Sequence, residues 1–143
     1  MKQIILLFAC LFALQGLAKA DDDRAVDQLP QKAQEFIQKY FPKNEISLAK
    51  MEKDFWEKKY EVVFVNGEKA EFLKDGSWEK VDCKYSTVPT GIVPQAIKDY
   101  VSKHYPEAKI LKIERDSKTY EVKLNNQLEL EFNKAFQLID IDN

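Results

Sequence analysis

Apolar residues in two stretches of this chain recur at the spacing of one helical face. Ala33, Phe36, Ile37 and Tyr40 stand at i, i+3, i+4 and i+7, and Ile97, Tyr100, Val101 and His104 repeat the pattern. Pro30 and Pro94 suit a first helical turn, where no amide hydrogen is needed, and Pro42 and Pro106 forbid continuation. The pattern predicts helices over 30–41 and 94–105. After each helix the period falls from 3.6 to 2. Tyr60, Val62 and Phe64 alternate with Glu61 and Val63, which describes a half-buried strand. Asn66-Gly67 and Lys74-Asp75-Gly76-Ser77 mark tight turns, since these residues tolerate the backbone a hairpin demands. Strands are predicted near 46–54, 58–65, 68–73 and 78–84, then near 109–116, 118–125, 127–132 and 137–142.

The two halves of that pattern share sequence. Leu29-Pro30-Gln31 returns as Val93-Pro94-Gln95, Tyr40-Phe41-Pro42 as His104-Tyr105-Pro106, Tyr60-Glu61-Val62 as Tyr120-Glu121-Val122, and Glu71-Phe72 as Glu131-Phe132. Leu48 to Asp54 reads like Ile110 to Asp116. The offset is 64 residues at the helix, 62 at the first strand and 60 afterwards, so the first repeat is expected to carry two small insertions. A helix followed by an antiparallel meander, twice over, gives an α+β fold. It is a tandem duplication of an α-β-β-β-β unit, with one antiparallel sheet and two helices packed on one face. The repeats span about 27–84 and 92–142. The linker Ser86 to Gly91 is too short to separate independent domains, so 21–143 is expected to be one cooperative unit.

The N-terminus reads as a secretory signal. Lys2 is followed by an apolar run from Ile4 to Leu17, broken only by Gln15 and Gly16, and Ala18-Lys19-Ala20 offers the small-x-small cleavage pattern. That run is short of the ~20 residues a membrane span needs, so no stable membrane insertion is expected. Acylation of Cys10 is disfavoured because the apolar stretch continues well past it. Cleavage near Ala20 places the chain in the periplasm or outside the cell. It leaves 123 of the 143 residues, enough for one ordinary domain. Lys2 and Lys19 go with the signal, leaving 20 basic against 24 acidic residues and a net charge near −4. A nucleic-acid binder should be basic instead. Cys83 is the single remaining cysteine, so no intramolecular disulfide forms and the core must hold the fold.

The run Glu71-Phe72-x-x-Asp75-Gly76-x-Trp78-x-x-Val81-Asp82-Cys83, followed by Pro89, Ile92 and Pro94, resembles the PepSY-like family. These are small periplasmic proteins with a β-lactamase-inhibitor-like fold. The likeness covers about residues 27 to 142. It implies tandem α-β-β-β-β repeats and no established catalytic activity. By analogy of fold it also implies a role in restraining another protein, although fold alone does not fix function. Two departures stand out. Asn126-Gln127 replaces a second Asn-Gly turn, and Ala135-Phe136 replaces Asp-Gly, which leaves the geometry of the last hairpins open.

Little in the chain suggests catalysis. His104 is the single histidine, so a Ser-His-Asp triad would have to use it; its place on the apolar stripe reads as a partly buried structural residue. Too few histidines and cysteines remain for a zinc site, so no metal is expected. Asp21-Asp22-Asp23 lacks the spaced ligands of a calcium loop. Cys83 lies between Asp82 and Lys84, away from the electropositive setting a reactive thiol needs, and reads as inert. The glycines are isolated, so no phosphate loop and no cofactor are expected. The carboxylates read as solvated strand faces. More informative are Phe55 and Trp56, which only the first repeat carries. Large aromatics on a turn are either folded back or used for contact, and Trp is common at interface hot spots. Trp78 has the same two readings.

The sequence therefore predicts a non-enzymatic exported binding protein that modulates or inhibits another exported protein, with Phe55, Trp56 and Trp78 as contact residues. The alternatives are a self-associating envelope protein, with a homodimer its simplest form, and a small-ligand or metal-sensing module.

Overall fold

The computed structural model describes residues 28–53 and 57–143. The predicted helices are present as α1, Gln31–Tyr40, and α2, Gln95–His104. Each begins one residue later than the proline that was expected inside it. Pro30 and Pro94 are the N-caps, with φ −55° and an extended ψ, and their carbonyls take the first amides: Ala33 and Gln34 donate to Pro30, Ile97 and Lys98 to Pro94.

Eight strands follow the predicted order: β1 Ile46–Lys53, β2 Lys58–Phe64, β3 Lys69–Leu73, β4 Trp78–Asp82, β5 Ile110–Arg115, β6 Thr119–Leu124, β7 Glu129–Asn133 and β8 Leu138–Asp142. They form one antiparallel sheet in sequence order, β1 to β8. The register aligns one residue per strand into a single row: Ala49, Val62, Ala70, Val81, Ile113, Val122, Leu130 and Ile141. Directly opposed residues share a face, and all but Ile141 are at most 1% exposed. Phe72 and Phe132 lie two positions from Ala70 and Leu130, hence on that same face. Phe36 of α1 meets Phe72 edge-on at 5.4 Å, and Tyr100 of α2 meets Phe132 in the same way at 5.4 Å. Both helices therefore cover one face of the sheet and enclose a one-sided core. Among the described residues, no helix covers the opposite face.

The register corrects one sequence-based expectation. Ala49 and Ile113 occupy the same place in the row, 64 residues apart, whereas Val62 and Val122 are 60 apart. The offset of 64 therefore persists through the first strand, and the length difference falls at one point, the β1–β2 hairpin. Phe55 and Trp56 belong to that hairpin and lie outside the described residues.

The last hairpins keep the geometry of the first ones without glycine. Gly67 and Gly76 sit at φ +92° and +90°, and their counterparts Gln127 and Phe136 sit at +77° and +64°. The closing bonds match: Gly67 N donates to Phe64 O at 2.9 Å and Gln127 N to Leu124 O at 3.1 Å. Asn66 and Asn126 each accept an amide two residues on at 3.0 Å, which holds the turn in place of glycine's freedom. A left-handed conformation costs a side-chain-bearing residue about 1 kcal/mol. Gln127→Gly is therefore expected to raise stability by about 0.5–1 kcal/mol, read as a higher urea midpoint with an unchanged m-value.

Candidate binding face

The helix-free face carries its own row, one charged residue from each strand in unbroken register: Lys50, Glu61, Glu71, Lys80, Glu114, Glu121, Glu131 and Asp140. Strand alternation puts them there, because each flanks a core residue such as Val62, Ala70 or Val122. The first half of the row is mixed in sign and partly paired. Lys50 Nζ lies 3.5 Å from Glu61, and Lys80 Nζ lies 4.0 Å from Glu71. Next to it Lys59 bridges Glu79 at 2.8 Å and Glu57 at 3.1 Å; the hydrogen bond to Glu79 is the main reason its ammonium is held above the ordinary lysine range.

The second half is different. Glu114, Glu121, Glu131 and Asp140 oppose one another on four successive strands with no cation between them, and Lys80 stands opposite Glu114 at one end of the run. Like charges directly across a strand pair are destabilising. Glu71, Glu79, Glu114, Asp116, Glu121 and Glu131 line a shallow concavity of about 320 Å³, with Lys59, Arg115 and Thr119 completing its rim. Burial raises the carboxyls of both Glu71 and Glu121; Lys80 opposes the rise at Glu71, while Glu129 and Glu114 add to it at Glu121. For an acid, a folded value above the unfolded one means the native state holds the proton more tightly. Stability therefore falls as pH climbs through that window, and these two carboxylates, once ionised, weigh against the fold at neutral pH. This acidic patch was not singled out in the sequence. The alternation Tyr-Glu-Val and Leu-Glu-Phe places each glutamate on a strand face, but only the register brings them side by side.

Two residues further along the middle strands, Asp82, Lys112 and Lys123 join Lys84 in lining a groove of about 510 Å³ beside Tyr85, which is 94% exposed.

Trp78 faces the other way. It opposes Phe72 on the core side, packs on Phe36 with centroids 6.4 Å apart, and has the Arg115 guanidinium 3.8 Å from its ring centroid. Arg115 Nε also donates to the Trp78 carbonyl at 2.9 Å. Phe136 stacks on Tyr120 at 5.4 Å. These aromatics thus belong to the packing around the helices and not to the charged face.

His104 overturns its sequence reading. It is exposed at the end of α2, its ring 4.2 Å from Tyr100. Ile97 and Val101 define the buried stripe, and at the last turn the following Tyr105 packs against the core instead.

Cys83 is 2% exposed, and its amide donates to Leu111. Burial, with Glu68 and Asp82 adding, pushes its thiol up to about 12, so the thiolate needed for nucleophilic chemistry is absent at neutral pH. Native protein should therefore resist a thiol reagent and react fully only once unfolded in urea, followed as released chromophore. Glu68 is buried as well, and Asn44 donates to its carboxylate at 3.0 Å. Among the described residues, no three His, Cys, Asp or Glu side chains converge as a metal site, and no helix is long and apolar enough to cross a membrane.

Comparison with known proteins gives a consistent picture. A crystal structure from Bacteroides thetaiotaomicron, described as a "putative calcium-regulated periplasmic protein", is 58% identical. The match covers 82% of this chain and 93% of that one, with a TM-score of 0.81. Two periplasmic proteins of Bacteroides vulgatus are 57% and 36% identical. They match 82% of this chain, and 93% and 94% of their own lengths, with TM-scores of 0.81 and 0.79. None of the curated proteins compared with the chain matches it. The family model described as "Putative beta-lactamase-inhibitor-like, PepSY-like" matches residues 58–140. On that match and on its periplasmic relatives, the chain belongs to the PepSY-like family.

Proposed function

We infer that this chain is a non-enzymatic exported protein that uses the helix-free face of its sheet to hold a cationic surface of another exported protein, and so modulates it. The observation that carries this reading is the run Glu114, Glu121, Glu131 and Asp140, four carboxylates opposed on adjacent strands. The fold alone would favour cations among them, as the first half of the row has in Lys50 and Lys80. Residues that weaken a fold where they stand are commonly retained for contact. The signal-like segment at 1–20 and the periplasmic relatives support export. The recurrence of α-β-β-β-β is read as a duplication that doubled the width of the face. Phe55 and Trp56, which the sequence offers as contact residues, are assigned to the same contact.

The test is capture of partners from periplasmic extract by the mature protein, with Glu114→Gln, Glu121→Gln and Glu131→Gln combined. The triple variant should lose its partner, and the wild-type complex should dissociate as salt rises. Its thermal midpoint should be equal or slightly higher, since neutral side chains relieve the repulsion. Retained capture would remove the face from the reading. Phe55→Ser with Trp56→Ser tests those two residues separately.

A second reading is favoured by one fact, the description of a 58% identical relative as calcium-regulated. Calcium takes several oxygen ligands, and the same glutamates supply that chemistry once drawn together. Calcium would then raise the melting temperature of wild type and not of the triple variant, with magnesium as the control.

A further inference from the structure

We propose that copies of this chain join head to tail, strand β8 of one copy pairing antiparallel with β1 of the next. These are the two edge strands of the sheet, and among the described residues each ends the ladder with backbone groups that no other strand takes up. The molecule contains a template for joining them. At the central seam β4 pairs with β5 through Lys80 opposite Glu114, Val81 opposite Ile113 and Asp82 opposite Lys112.

Strand β8 matches β4 position for position. Leu138 opposes Phe132 as Trp78 opposes Phe72, and both strands shift register at the same point. Asp140, Ile141 and Asp142 thereby stand where Lys80, Val81 and Asp82 stand. Strand β1 matches β5 in the same way, Lys50 and Ala49 standing where Glu114 and Ile113 do. Repeating the central seam between two copies sets Asp140 opposite Lys50 and Ile141 opposite Ala49. The Lys80–Glu114 attraction is kept with both signs reversed.

Exposure points the same way. Val81 is fully covered at the central seam, whereas Ile141, its counterpart on the free edge, is 47% exposed and Ile139 beside it 53%. A neighbouring Ala49 is the residue the row lacks. A two-fold pairing of β8 with itself about Ile141 would instead set Asp140 against Asp142, which like-charge repulsion disfavours. The head-to-tail contact is heterologous, so it can repeat, and it leaves the charged face uncovered. It stands or falls apart from the binding reading.

The decisive experiment is site-specific cross-linking of the mature protein. Opposed residues of an antiparallel pair have Cα atoms about 4.5–5.5 Å apart, within the reach of a disulfide. The double variant Asp140→Cys, Lys50→Cys should form a ladder of dimers, trimers and longer chains on mild oxidation, resolved on a non-reducing gel. Asp140→Cys alone should not cross-link efficiently. Absence of the ladder, or equal cross-linking by the single variant, would overturn the proposal. Sedimentation equilibrium supplies the second measure. The wild-type average mass should rise with concentration, and Asp140→Lys should weaken association about tenfold. Adding Lys50→Asp to Asp140→Lys should restore it. A wild-type monomer at every concentration up to millimolar would also end the idea. Circular dichroism confirms that these edge variants fold.

Discussion

Replacing Phe132 with alanine is expected to lower the unfolding free energy by about 3–5 kcal/mol, the usual cost of removing a fully buried aromatic ring. Phe132 has no exposed surface, stands beside Leu130 in the buried row, and receives Tyr100 of α2 edge-on. The ring is therefore the point at which the second helix is fastened to the sheet. A domain of this size has about 5–15 kcal/mol in all, so the loss removes a large share of its margin. The internal comparison is Phe136→Ala. That ring is 37% exposed and stacks on Tyr120, and its removal should cost no more than about 1 kcal/mol. Urea titrations of both variants, followed by far-ultraviolet circular dichroism, make the test. Equal losses would mean that the α2 face is not the main store of stability in the second half.

Gly76→Ala is expected to be the most damaging single-methyl change in the protein, about 3 kcal/mol or more. Two penalties add. The position sits at φ +90°, where an L side chain is strained by about 1 kcal/mol. The new Cβ would also stand 2.8 Å from Lys32 Cβ, 3.0 Å from Pro30 Cβ and 3.1 Å from the Ala33 amide nitrogen. Two of those neighbours are fixed: a proline ring and the backbone at the start of α1. The clash cannot be relieved by a rotamer, so the helix start must lift from the β3–β4 turn. Gly67→Ala isolates the first penalty, because its Cβ meets only the flexible end of Lys84 at 3.6 Å. It should cost about 1 kcal/mol. The difference between the two urea midpoints measures how tightly the turn is seated against α1, and similar values for both variants would show that seat to be loose.

Much of this architecture was readable from residues alone because the strongest signals are stereochemical. Pro30, Pro42, Pro94 and Pro106 bracket two helices whatever surrounds them, and the change of period after each announces strands. The comparison of repeats failed at one place for a reason built into sheets. A strand slipped by two residues keeps every side chain on its proper face. Leu48 to Asp54 and Ile110 to Asp116 therefore match well by letter while standing two positions out of true register. Only the pairing of Ala49 with Val62 and of Ile113 with Val122 exposes the slip. The acidic patch escaped for a related reason: each glutamate looks like an ordinary surface residue until seven strand pairings are known. His104 misled because helical periodicity does not show where the sheet stops covering a helix end. For Trp78 the residues alone leave core and contact both open, and only the packing shows Phe36 and Arg115 flanking it.

The order of the strands has a kinetic consequence. Every neighbour in the sheet is also the next strand along the chain, and six of the seven pairings close across a short turn. Loop closure therefore demands little entropy at each step, and refolding should be quick for so β-rich a molecule. The slowest event should be the meeting of β4 with β5, which must await the intervening helix.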